Sequence, residues 1–397
     1  MNEQRLRDEL RRAPVDERAR ARALHVARAA YAEVEPARGR RWAPVLAVAA
    51  CLLAAAVAAG SLTPPGDAVA RWVREVLGGG GERARPALVR VPGGGKLLVT
   101  TARPATSGAA ARPADAWVVS ADGSRRRLGD YAGASWSPRG LFAVAWRDGE
   151  LLAVEPGGSV RWSLARRGTI TAARWSPGRG FRIAYLAGGS LRVVGGDGLG
   201  DHRLAAARPV APAWRPDDAH VLAYADLRDR VRVVAVDSGR ELWRSRPVRA
   251  RVTELAWAPD GSRLLVATAR SWLLLGRDGR VLERRPLPAG FVADDFAWAP
   301  RGGRLAIVRR SERRSDVLLT GPGGRPRLLF SGSGRFGRMA FSPDGRRLLV
   351  PWPDADQWLF LSTERPGGFT AVANIERQFA GGPRSRAFAD SVEWCCP

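Results

Sequence analysis

Lysine is nearly absent: Lys96 is the only one among 64 basic residues, so the formal net charge of +25 rests on arginine. The arginines are spread along the chain and accompany abundant alanine, glycine and proline. That pattern fits the codon usage of a GC-rich genome first, and attraction to polyanions second. No zinc-finger spacing and no RNA-recognition signature accompanies the charge, so nucleic acid is not an expected partner. Histidine is scarce too, at His25, His202 and His220, with no HxxxH pair and no His/Cys cluster to form a metal site. No GxSxG elbow is present, which removes the expected engine of a hydrolase. The stretch AVDSGRELW at 235–243 occurs in one clear copy and reads as a structural turn. No catalytic residue, cofactor or metal is therefore expected.

Only three cysteines occur, Cys51, Cys395 and Cys396. Cys395 and Cys396 adjoin in EWCCP at the end of the sequence, where a vicinal disulfide, a link to another chain or simple exposure all remain open.

What is present begins with a long apolar run. Trp42 to Leu62 contains 21 residues without a charge, enough at about 1.5 Å per residue to cross a bilayer core of roughly 30 Å. Arg38, Arg40 and Arg41 precede it, and the first charge after it is Asp67. The positive-inside bias places residues 1–41 in the cytoplasm and everything after the span outside. A charged leader of 41 residues is too long for a usual cleaved signal. VAAC at 48–51 resembles a lipobox, but too few apolar residues precede it.

Residues 1–41 read as a cytoplasmic helical segment interrupted at Pro14, with Leu24, Ala27, Tyr31 and Val34 on one face as a candidate contact for a cytoplasmic regulator. Within 63–86, Val69, Trp72, Val73, Val76 and Leu77 form the stripe of a juxtamembrane amphipathic helix, followed by a glycine-rich linker at 78–81.

The remainder repeats one phrase. Aligning its prolines gives Trp136-Ser137-Pro138, Trp175-Ser176-Pro177, Trp214-Arg215-Pro216, Trp257-Ala258-Pro259, Trp298-Ala299-Pro300 and Phe341-Ser342-Pro343, at steps of 39, 39, 43, 41 and 43 residues. Strand-like runs with glycine punctuation at a period near 40 are the mark of a β-propeller, whose four-stranded blades consume roughly 40–45 residues each. In this reading the residues ahead of the proline form the innermost strand, and the aromatic wedges against the next blade. In Pro259-Asp260-Gly261 and Pro343-Asp344-Gly345 the proline presets the turn, the aspartate bonds its backbone, and the glycine takes a left-handed conformation.

A second marker, an outer hairpin such as Asp122-Gly123, Asp197-Gly198 or Asp278-Gly279, recurs seven times. The expected fold is therefore all-β, a seven-bladed propeller over 87–380, with six or eight blades as alternatives. A tail at 381–397 follows. The first blade lacks the aromatic and is assigned from Pro92 and the apolar strand after it. The last reads as supplying its own four strands, ending in FTAVANI at 369–375, so no strand exchange is evident, and closure is left to the tail.

The WSP, WAPDG and FSPDG phrases resemble TolB-type, WD-like propeller repeats, and the whole layout is similar to membrane-anchored propeller proteins of actinobacterial type. The resemblance implies a binding scaffold rather than a particular chemistry. The expectation is a single-pass protein of the cell membrane whose extracytoplasmic propeller binds a protein, peptide or anionic wall polymer. The alternative is a transmembrane sensor, similar in layout to anti-sigma factors, with the propeller as its outer domain.

Overall fold

The computed structural model describes residues 87–103 and 112–396, apart from 218, 322, 366 and 380–387. The helical segment expected over 1–41, the span at 42–62 and the linker at 63–86 lie outside the described residues. Among those that are described, no helix is long and apolar enough to cross a membrane.

Seven four-stranded antiparallel sheets make up the described chain. Their first strands are Gly133–Trp136 in blade 2, Ile170–Trp175 in blade 3, Ala213–Trp214 in blade 4, Val252–Trp257 in blade 5, Val292–Trp298 in blade 6 and Ala340–Phe341 in blade 7. Each of these six touches the next, and Phe388–Cys395 touches both Ala340–Phe341 and Gly133–Trp136, so seven strands form an inner ring. The fold is an all-β, seven-bladed propeller.

The continuously apolar runs follow from this arrangement, because a blade is covered on both faces. Side chains alternate across a strand, so neighbours in one strand enter different cores. In blade 5, Leu264 and Val266 join the core shared with blade 4, whereas Leu265 and Ala267 join the core shared with blade 6. Ile183 and Tyr185 of blade 3 likewise pack toward blade 2, and Ala184 and Leu186 toward blade 4. Hydrophobic burial is thus distributed over inter-blade seams. The outermost strands instead carry arginine on exposed positions, as in Arg125, Arg126, Arg161, Arg240 and Arg284, which blunts open edges against sheet-to-sheet pairing.

Blade 1 is assembled differently from the sequence expectation. Residues 89–95 form turns rather than an inner strand. The inner position is taken by Phe388–Cys395, which runs antiparallel to Lys96–Arg103 with Leu97 opposite Trp394 and Val99 opposite Val392. Blade 7 does supply four strands of its own. The ring is therefore closed by a strand from within the expected tail, which completes the blade nearest the other end of the described chain. Val392 and Ala389 are buried with Leu97, Val99, Leu349, Trp358 and Phe360 in the seam between blades 1 and 7.

Candidate functional site

The repeat residues form the ring's structural joints. Trp136, Trp175, Trp214, Trp257 and Phe341 are buried, and Trp298 is half-buried. Two show how the wedge works: Trp214 Nε1 donates to the Arg174 carbonyl at 2.9 Å, and Trp298 Nε1 to the Ala256 carbonyl at 3.1 Å. Each accepting residue immediately precedes the tryptophan of the preceding blade, so these two wedges latch their inner strand to the one before it, whereas the buried Nε1 groups of Trp136, Trp175 and Trp257 make no such bond. The prolines at 138, 177, 216, 259, 300 and 343 lie just past these strands.

In the turns that follow, Gly261 and Gly345 have φ of +65° and +73°. Their N–H groups donate to Ala258 and Ser342 carbonyls at 2.8 Å. The Asp260 and Asp344 carboxylates accept from the Ser262 and Arg346 N–H groups at 2.9 and 3.0 Å. The serines add a bond that the sequence did not announce: Ser137, Ser176 and Ser342 hydroxyls accept from the N–H groups of Phe142, Arg182 and Arg347, pinning the turn to the second strand.

The axis gathers five charged side chains that the repeat alignment passed over. Arg174 comes from blade 3, Glu254 from blade 5, Asp295 from blade 6, Arg338 from the entry to blade 7, and Glu393 from the closing strand. Arg174 Nη1 lies 3.5 Å from Glu393 Oε1. Blades 1 and 3 are separated by blade 2, so this pair spans the inner strand that lies between them. Glu393 Oε2 also accepts the Trp136 N–H of blade 2 at 2.9 Å, tying three blades together. Arg338 Nε stands 3.4 Å from Asp295 Oδ1, while Asp295 Oδ2 accepts the Met339 N–H at 2.7 Å. A backbone bridge joins Arg338 to Ser391 of the closing strand.

Electrostatics follow from crowding charges inside a ring. Burial, reinforced by the negative charge of Asp295, pushes the Glu254 carboxyl up to about 8, against the pull of Arg338 and Arg174. Burial also raises Asp295, opposed by Arg338 and the Met339 N–H. Arg174 is lowered by burial, with the nearby Arg338 charge adding to the effect. The shift favours the protonated form of Glu254 at neutral pH, and the two guanidinium groups face Glu393 and Asp295 at 3.5 and 3.4 Å. The arrangement braces the ring.

A sequence signal for this cluster existed. The residue just before the aromatic is Ser135, Ala213, Ala256, Ala297 or Ala340 in five repeats, but Arg174 and Glu393 in the other two. Three residues before it stand Gly133, Ala172, Ala211 and Ser391, but also Glu254, Asp295 and Arg338.

Cys395 and Cys396 are joined to each other as a vicinal disulfide. The pair rests on Gly140 in the turn after Pro138, where a Cβ would approach both sulfurs to 2.5 and 2.6 Å, and on Gly95, where it would meet the Cys395 carbonyl at 2.7 Å. His220 is a buried turn residue, with Nδ1 2.5 Å from Asp237 Oδ2 and Nε2 2.8 Å from the Arg179 carbonyl. His202 is exposed at the start of an outer strand. Between the proline turns of blades 2 and 3 lies a cavity of about 410 Å³ lined by Leu141, Phe142, Trp175, Phe181, Arg139 and Arg182.

No family model matches the chain. Among solved structures it is similar to a chain of a Mitotic Checkpoint Complex, with 16% identity over 74% of this chain and 92% of that one, at a TM-score of 0.54. It is also similar to the β-propeller domain of Cps50 (Swd1) from Myceliophteria thermophila, with 15% identity over 61% and 86% and a TM-score of 0.50. Hydrazine synthase of Kuenenia stuttgartiensis gives 15% identity over 58% and 76%, also at 0.50. At such identities the likeness shows the fold alone, a β-propeller, and a shared fold does not fix a function.

Proposed function

We propose that this protein is a non-enzymatic scaffold that binds a protein partner, held at the cell envelope by the apolar segment at 42–62 with its propeller on the extracytoplasmic side. The observation that carries the reading is the axial cluster. The charged groups that the fold collects are spent on one another across the ring, and the result is a braced frame that holds loops on both faces in fixed positions. The placement at the envelope draws on the charge-free run and the arginines before it.

Two measurements on intact cells test the proposal. Protease added from outside, after any outer layer has been opened, should degrade the propeller and spare an N-terminal fragment; full protection would overturn the envelope placement. Cross-linking on both sides of the membrane should trap partners on the propeller. Capture confined to residues 1–41 would overturn the scaffold reading in favour of the sensor.

A further inference from the structure

We infer that the blade 4 loops on the face opposite the proline turns form a docking surface for an acidic protein segment that carries an apolar side chain. The inference rests on the scaffold reading and names the chemistry of a partner.

In an antiparallel blade the second strand leaves the proline turn and ends at the opposite face. The hairpin after it and the connector to the next blade therefore share that face. In blade 4 these are 226–230, Asp-Leu-Arg-Asp-Arg, and 245–251, Ser-Arg-Pro-Val-Arg-Ala-Arg. Six connectors between blades are wholly described, and this one carries three arginines, Arg246, Arg249 and Arg251, all exposed. The others carry two at most, and where the count is two, Arg166 and Arg338 are already spent on Asp201 and Asp295.

The two loops are built as one surface. The Val248 N–H donates to the Asp229 carbonyl at 2.9 Å and the Ser245 N–H to the Val231 carbonyl at 2.8 Å. The Val231 N–H returns a bond to Ser245 Oγ at 3.0 Å. The acids in these loops are consumed internally. Asp226 accepts from the Arg228 and Arg230 N–H groups at 2.9 and 3.0 Å and pairs with Arg232. Asp229 pairs with Arg208 and accepts from the Val252 N–H. Among the described residues Arg228, Arg246, Arg249 and Arg251 make no ion pair.

Guanidinium groups suit planar carboxylates, which they grip through paired N–H donors. Phosphate would satisfy them equally, and Leu227 separates the two cases. It stands at the tip of the 226–230 hairpin, beside Arg228, with 57% of its surface exposed. A rigid loop that holds leucine in water among arginines fits a partner with both charge and an apolar side chain. A phosphate polymer has the first and lacks the second.

The test uses the full chain in detergent and a fluorescent twelve-residue peptide of aspartate and glutamate with two leucines, followed by anisotropy. Inorganic polyphosphate and the same peptide with serine for leucine serve as competitors. The triple variant Arg246→Glu/Arg249→Glu/Arg251→Glu should weaken peptide binding at least tenfold, and Leu227→Ser severalfold. An equal charge change on the outer strands and hairpins, Arg240→Glu/Arg280→Glu/Arg284→Glu, should change it less than threefold. Unchanged thermal unfolding of each variant shows that it is folded.

No binding, an equal loss in the control triple variant, or polyphosphate competing with no effect of Leu227→Ser would overturn the inference. Cross-linked partners found on other loops alongside such a result would leave the scaffold reading standing and remove only this surface.

Discussion

Blades 1 and 5 have the same four-stranded plan and opposite histories. Blade 5 is continuous in sequence, from its inner strand Val252–Trp257 to its outer strand Val281–Pro286, and carries its own wedge in Trp257. Blade 1 takes its inner strand from nearly 300 residues away, and its wedge position is filled by Trp394, whose Nε1 donates to the Gly94 carbonyl at 2.8 Å. A local blade can form its hairpins early, whereas the composite blade waits until loop closure over almost the whole ring has been met. The axial charges reinforce that late joint: Glu393 sits on the closing strand and reaches both Arg174 and Trp136.

The largest way to break this comparison is to end the chain at residue 387. The loss exposes the edge of Lys96–Arg103 and empties the Val392 and Ala389 positions from the seam. The thermal midpoint should fall by more than about 10 °C, or cooperative unfolding should vanish by calorimetry. Trp214→Ala strikes a continuous blade instead. It removes a buried indole and its bond to blade 3, and should cost about 3–5 kcal/mol in denaturant titration.

A smaller effect isolates the charge pair that spans blade 2. Glu393→Gln should cost about 2 kcal/mol, because Arg174 is left without its counter-ion in a confined site. Adding Arg174→Met should recover part of that loss, and strict additivity of the two changes would show that the pair does not couple.

The smallest effect is a dependence on pH. Glu254 has a higher pKa folded than unfolded, so the folded state holds its proton more tightly. The stability this contributes is complete below the ordinary glutamic acid value of about 4.3 and drains away as pH rises toward about 8. Asp295 adds the same sign at lower pH. The midpoint of unfolding should therefore decline from pH 5 to pH 8, and Glu254→Gln should flatten the upper part of that decline. An unchanged slope would remove Glu254 from the cluster.

The propeller was legible because its signal is repeated. Tryptophan, proline and glycine recur at a near-constant step, and each has a steric job that leaves few alternatives. Middle strands such as SRLLVATA were legible for a second reason, since burial on both faces leaves no polar alternation to confuse them.

The closing strand was not legible. Where each repeat has its proline two residues after the aromatic, Trp394 is followed by Cys395 and Cys396, so Glu-Trp-Cys-Cys does not match the phrase by eye. The axial cluster was obscured for the opposite reason. Alignment on the tryptophans draws attention to what repeats, whereas Arg174, Glu254, Asp295, Arg338 and Glu393 are the positions where the repeat is broken. Which residues break a period is information that a consensus discards.

The account turns on the pairing that closes the ring, and a cross-link reads it most directly. Val99 and Val392 are register partners buried in one seam. In a Cys395→Ser/Cys396→Ser background, Val99→Cys/Val392→Cys should form an intramolecular disulfide on mild oxidation, seen as a linked peptide by mass spectrometry, with a higher thermal midpoint than the reduced form. Both thiols staying free in folded protein, or linking only between molecules, would contradict the closure described.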